Sequence, residues 1–188
     1  LGLPLDAHQF VFGNLGEIKP YKGLELILEA FEQVTSQVDG PPPVLILAGR
    51  PGADAYVESL RQKASDSVIL RPELIPDADI PLWLGAMDAG VFAFKDIWGS
   101  TSVILSLSYQ TPVLVPRVGC LEDYVHEEDT GFTYKHDSVD DLVEKMLLFQ
   151  QTPLLPHMQY MCDKFNRDFS IDKIGEQFAR LYGEVAGL

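Results

Sequence analysis

The sequence predicts an α/β fold: a doubly wound, mostly parallel sheet of about six strands, with helices on both faces and a helical hairpin at its C-terminal end. Three observations predict it. Short apolar runs alternate along the chain with longer segments of helical period. Most of the runs are apolar at nearly every position, as strands covered on both faces must be. Clusters of Gly, Pro and Asp punctuate the junctions, and no repeat, low-complexity tract or interior linker divides the chain. The rhythm argues for a parallel sheet wound on both sides, and residues 1–188 read as a single domain.

Each element has its own warrant. QFVFG at 9–13 is the first strand, and GNLGEIKPYKG at 13–23 is the turn behind it. The helix over 23–38 lines up Leu24, Ile27, Leu28, Phe31, Val34 and Val38 on one stripe, with Glu25, Glu29, Glu32 and Gln33 off it. DGPPP at 39–43 breaks that helix, and VLILAG at 44–49 is the second strand. After RPG at 50–52, a helix over 53–64 carries Tyr56, Val57, Leu60 and Ala64. SVIL at 67–70 is the third strand, closed by RPELIPD at 71–77. Trp83, in IPLWLGAMDA, reads as helix packing. AGVFAF at 89–94 is the fourth strand, and WGSTSVILSLSYQTPV at 98–113 reads as a tight polar turn, a helix and the entry to the fifth, PVLVP at 112–116. GFTY at 131–134 is the sixth. Ser138 caps a helix through about Gln150 that carries Leu142, Met146 and Phe149. QQTPLLP at 150–156 is the one candidate hinge, leading into the hairpin, where Ser170 caps a helix with Ile174, Phe178 and Leu181.

Composition narrows the function. The chain is 46% hydrophobic and carries a net charge of −14 with a pI near 4.5, a balance that repels nucleic acid and anionic lipid. If the ligand is an anion, the few basic residues must gather at its site. No apolar run approaches the roughly 20 residues of a membrane helix. Cys120 and Cys162 are isolated and read as reduced, small apolar residues of a cytoplasmic protein. The histidines at 8, 126, 136 and 157 are scattered, and HEED at 126–129 is not HExxH, so neither a metal nor another cofactor is expected. No Ser-His-Asp, Cys-His or paired-carboxylate spacing defines catalytic residues. The opening LGLPLDAHQFVF already approaches a strand, and the expectation is that an N-terminal part is missing.

In an open α/β sheet, ligands bind beyond the carboxyl ends of the strands, so the turns there hold the candidates. In GNLGEIKPYKG, Gly13 and Gly16 let backbone approach a ligand, and Lys19 and Lys22 bring two cations to a helix N-terminus whose free N–H groups favour anions. Lysines near a helix start are usually just solvated, and this turn is neither a Walker loop nor GxGxxG. In KDIWGST, Gly99, Ser100, Thr101 and Ser102 offer N–H and hydroxyl donors for phosphate oxygens, although capping alone would explain them in isolation. Convergence of the two turns favours binding. Arg50 in AGRPG points either into the same cleft or to a surface carboxylate. Glu122 and Asp123 read as a solvated helix start, and Trp98 is an aromatic in a turn, harder to explain as core.

Five blocks occur in order: FGNLGEIKPYKGLELILEAF, VLILAGRPG, LIPDADIPLWLGAMDAGVFAF, GSTSVILSLSYQTPVLVPRVGCLEDYV and GFTYKHDSVDDLVEKM. Together they resemble the C-terminal, donor-binding half of GT-B glycosyltransferases, the retaining family-four or group 1 type that uses nucleotide sugars. The resemblance covers nearly the whole chain and rests on the order and spacing of the blocks. It implies a Rossmann-like nucleotide-sugar-binding domain of a transferase, with an N-terminal acceptor-binding domain as partner and the final helices crossing back toward it. In such enzymes the turn after the first strand supplies an Arg and a Lys to the donor diphosphate. Lys22 stands at the Lys position, Asn14 stands at the Arg position, and Lys19 is a replacement for that Arg.

The chain also departs from the pattern. Two glutamates separated by seven residues, one meeting the donor sugar and one the ribose, fall here at Ile97 and Leu105, and Gln110 sits where Gly is common. Two readings follow. In one, a branch associated with mannosyl transfer in polysaccharide assembly uses Gly99-Ser100-Thr101-Ser102 to hold the donor, GDP-mannose being one such donor. In the other, the domain is inactive and serves as a scaffold or regulatory partner. A signalling receiver is a poorer match, because the first strand ends in Gly13-Asn14 rather than an acidic pair. The first reading places the protein in the cytoplasm, with peripheral attachment to the inner face of the membrane through the other domain left open, and expects this half alone to be inactive.

Overall fold

A computed structural model describes residues 9–38, 40–151 and 155–187. Six strands form one sheet: β1 (Val11–Leu15), β2 (Val44–Ala48), β3 (Val68–Arg71), β4 (Ala89–Val91), β5 (Val113–Pro116) and β6 (Gly131–Tyr134). Every pairing is parallel, in the order β3-β2-β1-β4-β5-β6. Seven helices connect or follow them: α1 (Leu24–Gln37), α2 (Asp54–Lys63), α3 (Ile80–Leu84), α4 (Thr101–Ser108), α5 (Val139–Gln151), α6 (Leu155–Asp168) and α7 (Ile171–Ala186). The predicted doubly wound sheet with a C-terminal helical pair is the observed architecture. Residues 1–8 with His8, Asp39 of the DGPPP break, and residues 152–154 of the expected hinge lie outside the described residues.

The alternation of side chains along the strands sorts the core into two faces. Leu45 and Leu47 of β2 point to one face, where they join Ile27, Phe31 and Val34 of α1, Val57 and Leu60 of α2, and Leu142, Met146 and Phe149 of α5. Val44, Ile46 and Ala48 point to the other, against Trp83, Leu84 and Met87. β5 divides the same way: Leu114 faces the α1–α5 side, while Val113 and Val115 meet Val103 and Leu107 of α4 and Cys162 and Phe165 of α6. Apolarity at every strand position is therefore required, because both faces are covered.

Two strand boundaries differ from the sequence reading, each for a physical reason. β1 runs on to Leu15, because Gly13 and Asn14 pair with Ile46 and Leu47 in the ladder. β4 stops at Val91, although Phe92, Ala93 and Phe94 remain buried. Beyond Val91 the backbone bends toward the turn after β1, where Lys95 N–H donates to the Tyr21 carbonyl at 3.0 Å. Gly23, at φ 63°, lies so close that a Cβ there would come within 1.9 Å of the Ala93 oxygen. The sheet order reverses between β1 and β4, and both turns that follow them open on the same edge.

Candidate cleft at the carboxyl edge of the sheet

Three turns build one cleft. The turn after β1 and the turn after β2 are stitched together by backbone: Ile18 N–H donates to the Arg50 carbonyl at 2.8 Å, Gly52 N–H to the Ile18 carbonyl at 2.9 Å, and Gly16 N–H to the Ala48 carbonyl at 2.9 Å. The contact is so close that a Cβ at Gly49, whose φ is 141°, would lie 1.7 Å from the Gly16 oxygen. The third contributor is α4, started by Ser100, whose hydroxyl accepts from the Val103 N–H at 3.3 Å. A cleft of about 460 Å³ opens between them, lined by Gly16, Glu17 and Arg50, by Thr101 and Ser102, and walled by Leu15, Leu74, Ile75, Ile80 and Leu105.

Lys22 lies at the junction of the turns. A short 3-10 segment, Pro20–Lys22, precedes Gly23 and turns the lysine inward, leaving it 5% exposed. Its Nζ donates to the Ser102 hydroxyl at 3.3 Å, across 80 residues of sequence. It lies 4.7 Å from the Phe94 ring centroid and 5.5 Å from that of Tyr21, so two aromatic faces support the charge. Lys22 has no ion-pair partner among the described residues. Burial holds the ammonium pKa below the usual lysine value, and the nearby Glu17 carboxylate only partly offsets this. The result is a largely desolvated cation whose ammonium has donors beyond the one used on Ser102.

Two more cations sit at the rim. Arg50 is exposed and lines the cleft. Lys19 pairs with Glu17, Nζ to Oε2 at 2.8 Å. The hydrogen bond from Lys19 lowers the Glu17 pKa, and the charges of Arg50 and Lys22 act in the same direction. Three of the chain's 14 basic side chains thus gather around this turn of an acidic protein: Arg50 lines the cleft, while Lys19 and Lys22 adjoin it through Glu17 and Ser102 of its lining.

The structure separates the other sequence candidates. Asn14 is buried in the sheet, with its side-chain amide donating to the Val91 carbonyl at 2.7 Å, and so ties β1 to β4 rather than facing the cleft. Gly13 packs against Met87, which a Cβ there would strike at 2.3 Å. Gly99 backs onto Cys120 and Tyr124, and Ser100 is a buried cap. Thr101 and Ser102 reach the cleft. Of the two positions where the resemblance expects acids, Leu105 lines the cleft, and Ile97 packs instead against the second core cluster beside Phe92 and Phe94. Trp98 is 85% exposed and is not part of the lining. Cys162 is buried, its thiol pushed up to about 12 by burial, whereas Cys120 is half-exposed with its Sγ 2.9 Å from the Trp98 carbonyl. Glu17 and Ile80 were not singled out in the sequence, whereas Leu74 and Ile75 belong to the turn at 71–77, one of those beyond a strand's carboxyl end where a ligand was expected. Glu17 was discoverable, since it lies between Gly16 and Lys19 in the turn already singled out. Among the described residues, no group of three or more His, Cys, Asp or Glu is placed to hold a metal ion, and no helix is long and apolar enough to cross a membrane.

Comparison with known proteins gives this geometry a context. Residues 9–151 match the family model described as "Glycosyl transferases group 1". The chain is 26% identical over 197 aligned residues to D-inositol 3-phosphate glycosyltransferase from Corynebacterium diphtheriae, an alignment covering all of this chain and 45% of that protein. Its fold superposes on HepE from Anabaena, solved in complex with UDP and glucose, with a TM-score of 0.80 at 19% identity, covering 95% of this chain and 49% of that one. It also superposes on the C-terminal domain of a glycosyl transferase group 1 family protein, LpcC, from Francisella tularensis, with a TM-score of 0.71 at 15% identity and 85% coverage of both chains. The chain therefore spans about half the length of the first two proteins it matches.

Proposed function

The chain belongs to the group 1 glycosyltransferases, and on that premise we propose that it is the donor-binding half of such an enzyme, holding a nucleoside diphosphate sugar whose sugar passes to an acceptor hydroxyl. The observation that carries this reading is Lys22: a buried ammonium with no ion-pair partner among the described residues, held by Ser102 where the β1 turn meets the start of α4. Burying a cation without a carboxylate is costly, and a bound anion would relieve that cost.

The chemistry follows from charge. When the glycosidic bond to the diphosphate breaks, negative charge grows on the departing phosphate oxygens. Donors already fixed at that position lower the barrier, because they need not reorganise as the charge appears. Lys22 supplies the inner cation, Lys19 and Arg50 the outer ones, and Thr101 and Ser102 supply hydroxyl or backbone donors. The apolar wall of Leu74, Ile75 and Ile80 suits the flat face of a base. Leu105 removes a carboxylate route to the ribose, so its hydroxyls must be met by other groups.

The donor is UDP-linked, as the UDP complex of the HepE neighbour suggests, or GDP-linked, with GDP-mannose the candidate from the resemblance. Half-length coverage supports a second, N-terminal domain that binds the acceptor. In this reading the half described does not turn over alone, any membrane attachment belongs to that other domain, and the product belongs to polysaccharide or glycoconjugate synthesis. The test is calorimetric titration of UDP and GDP into the folded chain. Binding of one of them is expected, and Lys22→Ala should weaken it tenfold or more, about 1.4 kcal/mol. Absence of heat at millimolar nucleotide would remove the donor reading and favour an inactive scaffold of the same fold. Unchanged affinity in Lys22→Ala would remove the role of Lys22.

A further inference from the structure

We propose that Glu17 is the resident anion of this cleft: in the unliganded chain its carboxylate engages the cations that the ligand needs, and a diphosphate binds by displacing it. Glu17 thereby becomes a specificity-determining residue that makes the cleft discriminate by ligand charge. The inference rests on the donor-site reading and adds a residue that reading does not require.

Four observations converge. Glu17 lines the same cleft as Arg50, Thr101 and Ser102. It is the one carboxylate in that lining among the described residues. Its Oε2 accepts from Lys19 Nζ at 2.8 Å, with side chains 37% and 42% exposed, so the bond is made where a ligand can reach it. Its neighbour Gly16 brings the same turn against the Lys22 ammonium and the Ser102 hydroxyl: a Cβ on Gly16 would lie 3.5 Å from the first and 3.0 Å from the second. Lys19 therefore holds this carboxylate directly, and the charges of Arg50 and Lys22 act on it through space.

A diphosphate carries more charge than a carboxylate and more acceptor oxygens, so it makes more charge-assisted bonds to the same cations. The two anions repel each other if both stay. An exposed pair such as Glu17–Lys19 is weak by itself, and a ligand of sufficient charge exchanges with it. A ligand of low charge gains too little to do so. The carboxylate consequently raises the threshold for binding: its effect is largest on the diphosphate, smaller on a monophosphate and nil on a neutral nucleoside.

The experiment compares the full chain with Glu17→Gln, which keeps shape and removes charge at a half-exposed position. Pyrophosphate, UDP, GDP, the matching monophosphate and the matching nucleoside are titrated at low and at physiological salt. The variant should bind pyrophosphate and the preferred nucleoside diphosphate about threefold to tenfold more tightly, with a gain that shrinks as salt rises. The monophosphate should gain less, and the nucleoside should be unchanged. Equal or weaker diphosphate binding by Glu17→Gln, with wild-type binding intact, overturns the inference alone. Weaker binding that extends to the nucleoside would make Glu17 an acceptor for ligand hydroxyls instead. If neither protein binds any of the diphosphates, the donor-site reading falls and this inference falls with it.

Discussion

Lys22 sets up a conflict between stability and binding at a single side chain. Its ammonium is buried, bonded to one hydroxyl and flanked by two rings, and its native pKa is held down chiefly by burial. The sign of the pH effect follows. Between the lowered native pKa and the ordinary lysine value, the unfolded chain binds more protons than the native one, so stability rises with pH through that window. Below the native pKa the full cost of the buried charge is carried. Lys22→Met keeps the volume and removes the charge, and should stabilise the protein at pH 7 by about 1 kcal/mol, raising Tm by about 2–4 °C, while abolishing diphosphate binding. Thermal unfolding at pH 7 and pH 10 checks this: the gain should be smaller at the higher pH. A lower Tm for the variant at pH 7 would mean that the Ser102 and ring contacts outweigh desolvation. Other single residues were harder to place from sequence. Asn14 stands in a turn motif, yet its amide serves the sheet, because β1 continues two pairings further than its apolar run.

At the scale of the element, α4 shows what a sequence exposes and what it hides. Its start was legible, since a polar residue before an apolar run is a capping signal and Ser100 does accept from Val103 N–H. Its end was not. Gln110 N–H donates to the Leu107 carbonyl and Thr111 N–H to the Ser106 carbonyl, each at 3.0 Å, the paired bonds of a helix terminus that needs one left-handed residue. That residue is Gln110, at φ 59°. Glutamine gives no sign of a left-handed position, whereas a glycine would have. Gln110→Gly should therefore stabilise the protein by about 1 kcal/mol, read as a raised denaturant midpoint at constant slope. A lowered midpoint would show that the exposed side chain makes up for its backbone strain. The turn at 71–77 could be placed at the ligand edge from its position after a strand, but a loop of no regular period does not say which side chains face inward, and only the fold puts Leu74 and Ile75 in one lining with Leu105.

For the whole molecule, order and winding were readable because each strand is doubly covered and each helix has one apolar stripe. The place where they stop agreeing is α7. Ser170 caps it as expected, but none of its described residues is buried, and Ile171, Phe178, Tyr182 and Val185 are all exposed. Its period was legible and its packing was not, because a stripe says that a helix is to be covered without saying by what. A helix of this length is marginal in water without packing. Amide hydrogen exchange should divide the chain into two tiers, with α7 exchanging far faster than α1 or β2. Equal protection in α7 and α1 would show that the stripe is covered in solution.

The bond between Lys22 and Ser102 also dictates a timetable. The two residues are 80 positions apart, and the strands that bring their turns together are tied by the Asn14 side-chain amide donating to the Val91 carbonyl, 77 positions apart. A ribosome adding roughly 5–20 residues per second reaches Ser102 about 4–16 seconds after Lys22. Through that interval the nascent first half can form β1, α1 and β2, but its lysine has neither Phe94 to lie on nor a hydroxyl to hold. The cleft belongs to no early segment of the chain, and it comes into being when the later half closes against the earlier one.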